Sequence, residues 1–179
     1  VEQDPEGIYQ NVLLSVQSCL ATFTANGGKI EDIQSVGISN QRETFIVWDE
    51  TGKAIAPAVV WQCKRSIAIC NDLNSQPGIA DQVKRKTGLI IDPYFSGTKL
   101  IWLCQNNQEI KNKIQSGAAY FGTVDTWLLY KLTGGTQYLT DYTNASRTLL
   151  FNLDDLEWDQ ELITTLGLSG LHLPTPKPS

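Results

Sequence analysis

The chain has 179 residues, with 19 acidic against 14 basic side chains and a formal net charge of −5. That is enough chain to bury roughly 70% of its unfolded surface in a real core. Scattered lysines and arginines on a net acidic chain speak against nucleic acid or an anionic membrane as partner. No apolar run approaches the ~20 residues needed to span a bilayer, and no basic-then-apolar leader opens the sequence. With no Met at its start either, the chain reads as an interior cut.

In chain order, the first expected element is a helix. Asp4 is a good N-cap and Pro5 suits the first turn, after which Ile8, Val12, Val16, Leu20 and Phe23 recur at mostly four-residue intervals until Asn26-Gly27-Gly28. That apolar stripe needs a sheet to pack on. Residues 33–38 read as a buried apolar strand, and 44–48 with 54–61 as a hairpin turned by Asp49-Glu50-Thr51-Gly52-Lys53. Helices are expected over 66–73, 79–86, 98–106 and 110–115, with Gln76-Pro77-Gly78 separating the first two. A strand over 119–124 leads into a helix through Trp127, Leu128 and Leu132 that stops at Gly134-Gly135. Residues 147–153 read as a further strand, and a last helix capped near Asp159 runs to Leu166. No repeat, low-complexity tract or flexible linker interrupts this mixture, so the expectation is a single α/β unit.

Cysteine usage points to a reducing compartment and a cytoplasmic setting. Cys19, Cys63, Cys70 and Cys104 form no Cys-x-x-Cys pair and the one histidine, His172, is remote from them, so neither a zinc site nor a disulfide framework is expected. Buried free thiols are the expectation for all of them. His172 also lacks a nucleophile at a recognisable spacing. Asn144-Ala145-Ser146 fits the glycosylation pattern, but as a chance match.

The most informative residues are Asn40-Gln41-Arg42-Glu43-Thr44, placed where the 33–38 strand should end. Open α/β sheets present ligand contacts just past strand ends. A guanidinium only donates hydrogen bonds and an ionised carboxylate only accepts them, so adjacent Arg42 and Glu43 suit a vicinal diol. Each such charged bond is worth roughly 1.5–3 kcal/mol, whereas an ordinary surface pair is worth about 0–1 kcal/mol. Trp61, delivered by the hairpin, could cover the carbon skeleton of a polyol, and Tyr94 in its Asp-Pro-Tyr-Phe-Ser-Gly-Thr loop could add a hydroxyl. From the residues alone, core packing is the favoured reading of both. Trp48, Trp102, Trp127 and Trp158 read as packing residues. Asp125 reads as a helix N-cap, Asp141 and Arg147 as a structural ion pair, and Lys64-Arg65 as a solvated helix start. No catalytic residue, metal ligand or cofactor-binding residue is assigned within the chain.

The segments around Arg42, Ala58-Val59-Val60-Trp61-Gln62-Cys63, Asp92 to Lys99, Phe121 to Trp127 and Asp141 to Thr148 resemble, in order and spacing, the glycerol kinase branch of the FGGY carbohydrate kinase family. The resemblance covers essentially the whole chain. It implies a ribonuclease-H-like domain of the actin and hexokinase kind, a mixed sheet with flanking helices. Residues 1–179 would be a partial N-terminal, substrate-binding domain, with the first strands upstream of Val1 and the nucleotide-binding domain beyond Ser179. The implied reaction is ATP- and Mg²⁺-dependent phosphorylation of glycerol to sn-glycerol 3-phosphate by a homo-oligomeric parent. Arg42, Glu43, Trp61 and Tyr94 would bind glycerol, and Lys99 and Trp102 fall in a family recognition segment without a chemical role. The phosphate-binding hairpin and the general base would lie outside the chain, so residues 1–179 alone are expected to be inactive, to bind no ATP or Mg²⁺ and to self-associate through an exposed sheet edge. Phe45 stands where a second threonine is usual, and Lys64 where an arginine is common. Two other readings share the fold: a kinase for another small polyol or ketose, and a non-catalytic polyol-binding module.

Overall fold

The computed structural model describes residues 1–179. Its main sheet has four strands, β1 (Glu2–Gln3), β2 (Phe45–Asp49), β3 (Ala58–Val59) and β4 (Ala119–Thr123), in the spatial order β1-β3-β2-β4 with every pairing antiparallel. β2 pairs with β4 over its full length, from Phe45 opposite Thr123 to Asp49 opposite Ala119. The expected hairpin forms, with a further bridge between Trp48 and Ala54. Asp49 closes its turn by accepting at Oδ1 from the N–H groups of Thr51 and Lys53.

β2 is buried on both faces, and its alternation divides the core. Phe45 and Val47 join a larger cluster, Ile46 and Trp48 a smaller one. The larger cluster is roofed by α2 (Ile67–Ser75), α3 (Ile79–Thr87), α4 (Ser96–Asn106), α5 (Gln108–Gln115) and α8 (Gln160–Thr165). Phe45, in its unusual position, uses this burial to meet Phe121 at a ring-centroid distance of 5.4 Å. On the opposite face, α6 (Val124–Leu132) contributes Val124, Trp127 and Leu128 against Trp48 and Ala58. Gly122 is required there, because a Cβ would lie 2.6 Å from Thr126 and 2.8 Å from Trp48. The first helix, α1 (Pro5–Ala25), is capped by the Asp4 carboxylate and packs Ile8, Tyr9 and Val12 on this smaller cluster. Trp127 anchors it by donating from Nε1 to the Pro5 carbonyl at 2.9 Å.

Two short pairings complete the fold: β5 (Leu139–Asp141) runs parallel to β8 (Thr175–Lys177), and β6 (Phe151–Asn152) antiparallel to β7 (Glu157–Trp158). Between β5 and β6 lies the four-residue helix α7 (Tyr142–Ala145). The expected packing tryptophans are all buried or half-buried. No helix is long and apolar enough to cross a membrane.

The structure corrects several expectations. Residues 33–38 form no strand: no backbone hydrogen bond involves residues 34–40, and Ile33, Val36 and Ile38 are exposed. Extended backbone becomes a strand only when neighbouring N–H and C=O groups pair with it, and the sheet here ends at β1 and β4. The strand expected over 147–153 shrinks to Phe151–Asn152, because Arg147 and Thr148 still turn back onto α7 and Leu149 has a left-handed backbone with φ of 68°. Asp125 is not the N-cap of α6; Thr123 occupies that position and Asp125 lies within the first turn. Its carboxylate instead accepts from the hydroxyls of Thr123 and Thr140, and burial pushes its pKa up. Cys63 and Cys70 are buried and Cys104 half-buried, but Cys19 is exposed because its face of α1 has nothing packed on it. Asn144, of the glycosylation pattern, is buried and donates to Asn40 and Asp141.

Candidate functional site

Antiparallel pairing brings the start of β2 and the end of β3 to one end of the sheet. Phe45 faces Val59, so the turn that carries Arg42 and Glu43 just before β2 lies beside Trp61 just after β3. The Trp61 N–H donates to Thr44 Oγ1 at 3.2 Å and fixes this juxtaposition. The loop before α4 closes the group: the Tyr94 ring meets Trp61 with centroids 5.5 Å apart and planes at 62°. All four predicted ligand residues therefore share one end of the sheet. They do so at the start of β2, not past the end of a strand over 33–38.

Glu43 is held from several sides. Arg147 Nε donates to its Oε1 at 2.8 Å, with the two side chains 27% and 4% exposed. The guanidinium also lies over the Phe95 ring, 4.9 Å from its centroid. Arg147 therefore pairs with Glu43 and not with Asp141, as the sequence suggested. Asp141 instead caps α7, accepting from the Asn144 N–H at 2.7 Å. The tight turn of α7 carries Arg147 back across the sheet end, and the chain passes so close to α4 that a Cβ on Gly97 would lie 2.7 Å from the Thr148 carbonyl.

Arg42, in contrast, is exposed and takes part in none of the ion pairs. Its donors are free. Tyr94 is 37% exposed, and it is held through its backbone, whose N–H donates to Asp92 Oδ1 at 2.8 Å. The site thus offers an unpaired donor fork, a fixed acceptor and an aromatic corner. A cleft of about 520 Å³ adjoins it, sharing Trp61 and Tyr94 with Cys63, Ile67, Asp92 and Pro93 but not reaching Arg42 or Glu43. Burial pushes the Cys63 thiol up, but the Arg65 guanidinium, donating from Nε to Sγ at 3.0 Å, outweighs this and holds it at about 7. Arg65 is half-buried, paired with Glu2 at 2.7 Å, so it is no solvated helix start; Lys64 is exposed as expected.

Lys99 is the residue that sequence reasoning passed over. It is fully buried, and its Nζ donates to the Tyr94 carbonyl at 2.9 Å, the Val60 carbonyl at 3.4 Å and the Glu43 carbonyl at 3.5 Å. The signal was present: Lys99 lies four residues before Leu103, on the apolar face of α4. Ser96 Oγ adds a second donor to the Glu43 carbonyl at 3.1 Å. No three or more His, Cys, Asp or Glu side chains converge as a cation site.

The model for the FGGY family of carbohydrate kinases, N-terminal domain, matches residues 1–179. The chain belongs to this family. The glycerol kinase of Carboxydothermus hydrogenoformans is 46% identical over 180 residues, spanning 100% of the FGGY chain and 35% of that protein. A crystal structure of Plasmodium falciparum glycerol kinase with ADP superposes with a TM-score of 0.91 at 36% identity, over 98% of this chain and 35% of that one. The gluconate kinase of Lactobacillus acidophilus gives 0.78 at 26% identity, over 98% of this chain and 33% of that one. The chain thus spans about a third of the length of the relatives it matches. The mixed α/β unit has the ribonuclease-H-like fold of FGGY kinases.

Proposed function

We propose that residues 1–179 are the substrate-binding portion of a longer glycerol kinase, and that Arg42, Glu43, Trp61 and Tyr94 hold glycerol. The observation that carries this reading is the pairing of an uncommitted guanidinium with a fixed carboxylate beside an aromatic corner. Arg42 donates to hydroxyl oxygens of glycerol, and Glu43, with Oε1 engaged by Arg147, accepts hydroxyl protons through its remaining capacity. Trp61 covers the carbon chain, and Tyr94 adds a hydroxyl that both donates and accepts. ATP with Mg²⁺ supplies the phosphoryl group when bound. This chain contributes orientation of the accepting hydroxyl, while the base that takes its proton is assigned elsewhere in the longer protein. Residues 1–179 alone are therefore inactive in this reading. Glycerol as ligand is supported by 46% identity to a glycerol kinase against 26% to a gluconate kinase. A cytoplasmic setting is supported by the free thiols.

The test is a coupled assay of the longer protein with ATP and Mg²⁺, offering glycerol, ribulose and xylulose separately, beside an Arg42→Ala variant. Turnover of glycerol that collapses in the variant supports the reading. Preference for a ketose moves the substrate within the family, and binding of a polyol without turnover would make the chain part of a non-catalytic module.

A further inference from the structure

Lys99 is a costly residue to bury. Its ammonium lies on the apolar face of α4 with no exposed surface and no ion pair within 4 Å. Burial, aided by the nearby Arg65 charge, pushes its pKa down to about 8 against partial support from the charges of Cys63, Glu43 and Asp92. A methionine of similar length would avoid this cost, and apolar replacement of buried charge is often neutral or stabilising. Stability is therefore a poor reason for a lysine here. What the ammonium does have is three hydrogens and three carbonyl partners on different stretches of chain.

Those stretches are the ones that carry the ligand residues. One carbonyl belongs to Glu43 itself, one to Val60 immediately before Trp61, and one to Tyr94 itself. Two have other donors: Ser96 reaches the Glu43 carbonyl and the Cys63 N–H the Val60 carbonyl at 2.9 Å. The shortest contact, to Tyr94, falls in the loop whose tyrosine is more exposed than its aromatic partner Trp61.

We propose that Lys99 is a positioning residue, whose buried ammonium ties the backbones of Glu43, Val60 and Tyr94 together so that Glu43, Trp61 and Tyr94 converge on one polyol. This rests on the reading of these residues as the polyol site. It goes further by assigning the convergence to one side chain that touches no substrate.

The experiment compares wild type, Lys99→Met, Tyr94→Ala and the double variant in the longer protein. Substrate kcat and KM are measured for whichever of glycerol, ribulose or xylulose the wild type phosphorylates, with ATP KM and the thermal midpoint alongside. The expected result for Lys99→Met is a polyol KM raised at least 10-fold, kcat within about 3-fold, ATP KM within about 2-fold and a midpoint within about 4 °C. In the double variant the two KM effects should fall well short of multiplying, because Lys99 acts through the loop that Tyr94 occupies. A polyol KM unchanged in Lys99→Met, or effects that multiply fully, would overturn the proposal and leave Lys99 a structural residue. If Lys99→Met does not fold, Lys99→Gln takes its place: a raised polyol KM supports the positioning role and an unchanged one overturns it. A wild type that prefers a ketose refutes the glycerol reading but leaves this test intact on the ketose. A wild type that phosphorylates none of the three refutes both.

Discussion

Two regions of the molecule handle the same problem differently. At the end of the sheet, polar side chains are tied across long stretches of sequence: Arg147 and Glu43 are separated by 104 residues, Lys99 and Glu43 by 56. On the flank made by the second half of α1 and residues 30–39, the hydrogen bonds are local, as between the Ser15, Thr22 and Thr24 hydroxyls and carbonyls four residues earlier. Apolar side chains there stand in solvent, with Val36 81% and Leu14 61% exposed. The first region is specified from within this chain. The second exposes apolar side chains that nothing in this chain covers. This chain therefore fixes the proposed ligand corner through its own contacts but leaves apolar side chains exposed on the flank.

The contrast is weakest at Arg42, which belongs to the corner yet holds nothing in it. Arg42→Ala should lower kcat/KM for glycerol about 10³-fold, equivalent to about 4 kcal/mol for two charge-assisted bonds, and leave the urea midpoint unchanged. A matching fall in stability would show that Arg42 is structural.

The corner can next be tested by pH, through Lys99. Its pKa is held at about 8 in the folded chain, against 10.5 for an unburied lysine, with Glu43, Cys63, Asp92 and Arg65 as the charged groups acting on it. Between those values the unfolded state binds more protons, so this group makes stability rise with pH across the window. Lys99→Met should therefore be most favoured relative to wild type below pH 8, with an advantage that declines by about 3 kcal/mol as pH approaches 10.5. Urea unfolding of both proteins at pH 7 and pH 10 measures it, and a pH-independent difference would mean that the ammonium is not desolvated.

Arg147→Met comes next. It strands the Glu43 carboxylate, whose side chain is only 4% exposed, and removes a cation from the Phe95 ring. Because Arg147 itself is 27% exposed, the loss should be about 2 kcal/mol, below the 3–5 kcal/mol of a fully buried broken pair. Glycerol KM should rise with it. Equal stability and KM would show that Glu43 is held without Arg147.

The same contrast explains what could be read from sequence. Local signals were reliable: Asp4-Pro5 capped α1, the glycine turn made the hairpin, and Asp159 capped α8. Hairpin geometry does bring Arg42, Glu43, Trp61 and Tyr94 to one end of the sheet, where their role as glycerol ligands is the proposal under test. Sequence reasoning failed where a residue's partner is distant. The apolar run at 33–38 has strand composition but no neighbouring strand. Arg147 was given the nearby Asp141, yet α7 turns it to Glu43. Lys99 looked like a family marker, because nothing in its local pattern shows which carbonyls surround it.

The smallest expected energetic effect lies on the flank, and it decides what that surface is for. Replacing Leu14 and Val36 with lysine removes two exposed apolar side chains that make no core contact, so stability of the 179-residue chain should change by no more than about 0.5 kcal/mol per site. Solution behaviour should change far more. An apolar face of this kind drives association, so the unsubstituted chain should sediment as dimers or larger species and the double variant should shift toward monomer. If the unsubstituted chain is already monodisperse and monomeric, exposed leucine and valine here are ordinary surface residues, and the contrast between the two regions lies in hydrogen bonding alone. If instead the variant loses several kcal/mol, those side chains are packed in solution, and the flank is as well specified from within the chain as the ligand corner.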